Sequence, residues 1–143
     1  MKSIIRFIIM AASLVELSLF AQFDTASGLP VSVTTGSTSN VTVNMDVRKQ
    51  LNTALMFKFH STGVNTQNVT LTFVGSVDGS NYSDAPAVTW VFACPGNTNV
   101  YRISTNFAVN GYTHWRLKSV ANAGSGDTII PLQLDYSLKK QTN

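Results

Sequence analysis

The chain is short of the residues on which most site chemistry depends. It has a single cysteine, Cys94, which excludes an intramolecular disulfide framework and any cysteine cluster for a metal. It has only two histidines, His60 and His114, so acid–base and metal chemistry have few candidates. Its one glutamate, Glu16, lies near the amino terminus, and every later acid is an aspartate. Charged residues make up 12% of the chain, about half the usual ~25%, which argues against a coiled coil and against long disorder. Hydrophobic residues make up 44% of 143 residues, enough to close one core. A net charge of +3 is too small and too scattered to mark a nucleic-acid surface, so no nucleic-acid partner is expected.

Residues 1–23 stand apart. Lys2 and Arg6 precede a mostly apolar run that reaches Phe20, followed by Ala21. Basic start, apolar middle and small residue are the marks of a secretory signal cut after Ala21. Arg6 and Glu16 interrupt the run, and Leu19 is large for its place before such a cut. A retained membrane anchor is a second reading. The third is an assembly arm packed on a neighbouring subunit, since Ile4, Ile8, Ala11, Val15 and Leu19 recur at helical spacing.

From about Gly28 the rhythm changes to two. Val41, Val43, Met45 and Val47 alternate with polar neighbours, as do Leu55, Phe57 and Phe59, then Val69, Leu71 and Phe73. Trp90 and Phe92, Trp115 and Leu117, and finally Ile130, Leu132, Leu134, Tyr136 and Leu138 continue the pattern. Strict alternation places one set of side chains on one face of a sheet. Turn-forming clusters such as Thr35-Gly36-Ser37, Asp78-Gly79-Ser80-Asn81 and Asn110-Gly111 separate the runs, and Asn110-Gly111 suits a type I′ hairpin. About eight short strands predict an all-β, antiparallel β-sandwich over residues 24–143, jelly-roll-like in its strand count.

Catalytic patterns are missing. No Gly-x-Ser-x-Gly turn is present, and both histidines sit in strand-like runs. No phosphate-cradling glycine loop leads into a helix. The chain is therefore read as a non-enzyme with no cofactor and no metal. Trp90 and Trp115 fall in phase with apolar neighbours and belong to the core. Tyr82 differs, because it lies in the polar loop from Asp78 to Asp84. Loops on a rigid sandwich carry function, so Asp78, Asn81, Tyr82 and Asp84 form a candidate ligand-binding set; the rival reading folds Tyr82 back over the sandwich edge. Tyr112, His114, Arg116 and Lys118 form a basic, partly aromatic row that suits an acidic glycan, phosphate or a partner subunit.

Two stretches carry a resemblance. Phe73-Val74-Gly75-Ser76-Val77-Asp78-Gly79-Ser80-Asn81-Tyr82 resembles the S-x-D-G-x-x-W/Y hairpin of discoidin-like jelly-roll modules. Tyr112-Thr113-His114-Trp115-Arg116-Leu117-Lys118-Ser119-Val120-Ala121-Asn122 is similar to their late Y-x-R-L-x-x-x-N strand. With the Thr- and Asn-rich body, the pair also resembles small bacteriophage virion proteins of decoration, spike or fibre-associated type. That resemblance implies a structural protein of a particle, assembling with copies of itself or other virion subunits. The signal-like start favours the alternative, a secreted or surface-attached bacterial sandwich that binds glycan. Membrane contact, on either reading, falls to residues 1–23.

Overall fold

The computed structural model describes residues 22–48, 52–63, 67–94, 100–124 and 126–138. Eight strands follow in chain order: β1 (Gln22–Ala26), β2 (Thr38–Asp46), β3 (Asn52–Ser61), β4 (Gln67–Ser76), β5 (Val88–Cys94), β6 (Val100–Ala108), β7 (His114–Asn122) and β8 (Ile129–Leu138). The anchor, signal and arm readings concern residues 1–23, of which 1–21 lie outside the described residues. β1 opens at Gln22, directly after Ala21, and pairs Gln22 with Leu138 and Phe23 with Ser137. Backbone pairing thus carries the sandwich two residues into the segment that hydropathy sets apart.

The strands form two antiparallel four-stranded sheets, β1-β8-β3-β6 and β2-β7-β4-β5. The pairs β4·β5, β3·β6, β2·β7 and β1·β8 are the successive rungs of one long hairpin, dealt alternately to the two sheets. That is jelly-roll connectivity, so the expected all-β sandwich is the fold that forms. Among consecutive strands, only β4 and β5 are neighbours within one sheet. The loop 77–87 between them is therefore the tip of the long hairpin, and every other connection crosses between sheets. Asn110-Gly111 is one such crossing. Both residues have positive φ (54° and 79°), as a primed turn requires, and Tyr112 N–H donates to Val109 O at 3.2 Å. The turn joins β6 to β7 across the sandwich and is not the hairpin its sequence suggests.

Inward side chains fill the space between the sheets. Phe57, Phe59, Leu71, Phe73, Trp115 and Leu117 are fully buried, with Trp90 and Phe92 close behind. Rings from opposite sheets meet: Phe59 lies 5.5 Å from Phe92, and Phe107 lies 6.3 Å from Trp90 and 6.5 Å from Trp115. Tilted ring pairs at such separations stabilise a core beyond the area they bury. Both tryptophans are core residues, as their phase predicts.

The last strand departs from its expected phase. Lys58 of β3 pairs with Gln133, but Phe59 pairs with Pro131, so Leu132 is an extra residue. This bulge leaves Leu132 47% exposed while Leu134 is fully buried and Ile129, not Ile130, completes the inward set. One inserted residue reverses the side-chain alternation on one side of it.

Candidate functional site

The site lies on the outer face of the second sheet, where the hairpin tip folds back over it. Ser76 and Asp78 build the turn that starts the loop. Ser76 Oγ accepts from Gly79 N–H at 2.9 Å and donates to Asp78 Oδ1 at 2.9 Å. Asp78 Oδ1 also accepts from the N–H groups of Ser80 and Asn81, both at 2.8 Å, and Oδ2 accepts from Asn81 Nδ2 at 2.7 Å. Hydrogen bonds from Asn81 and Ser80 to the ionised carboxylate hold the Asp78 carboxyl well below the usual range. Gly79, at φ 78°, supplies the positive φ that the turn needs. Further along, Ser83 N–H donates to Gly75 O at 2.9 Å and Ala87 N–H to Phe73 O at 2.8 Å, which lays the loop along β4.

Two residues of the predicted basic row rest on glycines, His114 under the loop and Tyr112 at the margin of the core, against which it packs. A Cβ placed on Gly75 would fall 2.5 Å from the Tyr112 ring, and one on Gly79 would fall 2.9 Å from the His114 ring. Both glycines are therefore close-approach positions, filled by the aromatic rings that rest on them. His114 Nδ1 lies 2.9 Å from Thr113 Oγ1.

The other two members of the row, Arg116 and Lys118, enter a pocket of about 310 Å³ with Tyr82, Ser83 and Asp84 of the loop. Asn40, Val41 and Thr42 of β2 and Val74 of β4 complete its lining. Local irregularity opens it. Between β2 and β7, Asn40 faces Ser119 and Val43 faces Leu117, so Val41 and Thr42 oppose Lys118 alone. Between β4 and β7, Thr72 faces Ser119 and Phe73 faces Leu117, which leaves Lys118 without a counterpart. Two adjacent bulges at one level bend the sheet and re-aim side chains there. Val74 forms the floor; it points outward from β4 yet is only 3% exposed because the loop roofs it.

The cations are held in place. The Arg116 guanidinium lies 3.7 Å above the centre of the Tyr82 ring, a cation–π contact. Its Nε donates to Asn44 Oδ1 at 2.9 Å. Lys118 Nζ donates to the backbone oxygen of Asp84 at a long 3.4 Å. Tyr82 thus folds back onto the sheet face under Arg116, not over the sandwich edge. Of the candidate set, Tyr82 and Asp84 line the pocket, while Asp78 and Asn81 close the turn that positions them. Asn40, Thr42, Asn44 and Ser83 join the site from outside the candidate set. Their one readable signal was Val74, an apolar residue immediately after inward-facing Phe73, which demands cover on the outer face.

The arrangement offers two cations, one carboxylate, hydroxyls, an amide and a small apolar floor. It suits recognition of a small polar ligand. Among the described residues, no group of three or more His, Cys, Asp or Glu side chains is placed to hold a metal ion. No family model matches the chain, and no curated protein is similar enough to count as a match.

Proposed function

We propose that the chain is a non-catalytic structural subunit of a virus particle, of bacteriophage capsid, decoration or spike type, acting in the virion through protein–protein assembly. The observation that supports this reading most is the strand order, β1-β8-β3-β6 over β2-β7-β4-β5. The jelly roll spends its apolar residues on one internal core and leaves two outer faces and the edges of β1, β6, β2 and β5 for contact with neighbours. Symmetric assembly is a direct way to manage such open edges. Mass spectrometry of the protein in purified particles tests it: the natural product is expected to copurify with particles and to retain Met1. A product that begins at Gln22 and accumulates in the culture medium would overturn the virion role.

The pocket favours a second reading, a secreted or surface-attached bacterial sandwich that binds glycan. A half-exposed tyrosine, two cations and several hydroxyl and amide groups in one concavity are features of a ligand site. A glycan array probed with the full chain tests this reading, and binding lost on Tyr82→Ala would support it.

A further inference from the structure

We propose that the pocket between β2, β7 and the hairpin tip takes one carboxylate-bearing sugar unit, with Arg116 and Lys118 gripping the carboxylate. The inference rests on the glycan reading and specifies its ligand class. At about 310 Å³ the pocket is at the small end of ligand sites, which span roughly 300–1,000 Å³. One ring fits it better than an extended chain.

The charges select the ligand. Arg116 and Lys118 oppose Asp84 alone among the lining residues, so the pocket is net cationic. Arg116 is already oriented: Asn44 takes its Nε–H and Tyr82 takes one face of its plane. Its two terminal nitrogens donate to no described residue. A planar fork fixed in this way matches a planar carboxylate, which it can meet with two parallel hydrogen bonds. Lys118 makes one long bond to the Asp84 backbone and has two further N–H donors. Asp84, exposed at the pocket wall, can accept hydrogen bonds there. Sugar hydroxyls supply them, whereas a phosphate, with more negative charge and fewer donors, would meet Asp84 as a repulsive neighbour. Asn40, Thr42 and Ser83 can exchange hydrogen bonds with the remaining hydroxyls, and Val41 and Val74 offer an apolar patch to the C–H face of the ring.

The test is an NMR titration of the full chain with sodium glucuronate, glucose, sodium acetate and inorganic phosphate at matched ionic strength. Glucuronate is expected to give saturable shifts at the amides of Ser83, Asp84, Arg116 and Lys118. Glucose and acetate should each bind about tenfold more weakly or worse, since each lacks one half of the recognition. Arg116→Gln should weaken glucuronate by a similar factor, and Lys118→Gln, which leaves the Tyr82 stack in place, should do so without disturbing the loop. Equal binding of glucose and glucuronate would overturn the carboxylate requirement and leave the glycan reading standing. Stronger binding of phosphate at the same amides, or glycan-array binding that shifts other residues, would overturn this site assignment. No saturable shift with either sugar, together with a blank glycan array, would overturn the inference and the reading beneath it.

Discussion

The two outer faces of the sandwich both carry cations and both contain a bulge, yet they hold those cations differently. On the first sheet, Lys58 of β3 sits directly opposite Arg102 of β6, with Gln133 of β8 on its other side. Like charges face each other across regular strands, a mildly unfavourable arrangement on its own. The bulge in β8 pushes Leu132 into water, where it stays 47% exposed. On the second sheet the bulges in β2 and β7 lie side by side, and the hairpin tip roofs them. Arg116 there is clamped by Tyr82 and Asn44, while Lys118 reaches the backbone of the roof. Charge alone therefore does not mark a site. A wall and a fixed orientation convert the second face from a charged surface into a pocket.

The largest expected effect tests the bulge in β8. Leu134→Ala should destabilise the fold by about 2–5 kcal/mol, the usual range for a buried leucine, whereas Leu132→Ala should change stability by no more than about 0.5 kcal/mol. Urea unfolding of both variants measures the contrast. Equal losses would mean that the two leucines share a face and that the strand alternates without interruption.

The second prediction concerns the contact between β4 and the turn before β7, at the margin of the core. Gly75→Ala puts a methyl against the Tyr112 ring and should destabilise by about 1–3 kcal/mol, as overpacking does. In the Gly75→Ala, Tyr112→Ala double variant the added penalty of the first change should largely vanish. Thermal unfolding of the cycle reads this coupling. Additive losses would show that Tyr112 does not rest on Gly75.

A smaller effect belongs to the first sheet. Tyr136 O–H donates to Asp24 Oδ2 at 2.9 Å, which ties β8 to β1. Tyr136→Phe should cost about 0.5–1.5 kcal/mol, the net worth of a typical hydrogen bond. Burial first, then Asp24, pushes the Tyr136 hydroxyl up to about 12. The folded state thus favours the neutral phenol. Its contribution is complete below the ordinary tyrosine value of about 10 and is lost as pH rises toward the folded value. Burial also raises the Tyr101 hydroxyl, so tyrosinate absorbance during alkaline titration should show late-ionising tyrosine, part of which disappears in Tyr136→Phe.

The smallest expected change is confined to the roof. Because the Asp78 carboxyl is held low, its support is complete above about pH 4 and declines only as pH falls further toward its folded value. Asp78→Asn should speed amide exchange in residues 77–87 at neutral pH and leave β3 and β7 unchanged. Protection in the loop equal to that of the unsubstituted chain would remove Asp78 from its positioning role.

Legibility in the sequence followed regularity. Strands with uninterrupted alternation, such as Leu55-Met56-Phe57-Lys58-Phe59, showed their inward face plainly, and both tryptophans could be placed by phase. Bulges at Val41-Thr42, Lys118 and Leu132 left no trace in composition, because an inserted residue looks like any other until its partner strand is known. Asn110-Gly111 disclosed a backbone shape but not which strands it joins. The same limit applies to the site. Tyr82 and Asp84 stood out as loop residues and Arg116 and Lys118 as a basic row. Their meeting depends on β4, β7 and β2 being neighbours, which no local pattern encodes. Asp78 and His114 carried the right chemistry for a site and act instead as parts of its frame.

We propose that this sandwich works through assembly with its neighbours. Sedimentation of the full-length natural protein over a wide concentration range tests that most directly. The account predicts a closed oligomer of one integer stoichiometry; a strict monomer persisting at the highest concentration would contradict it.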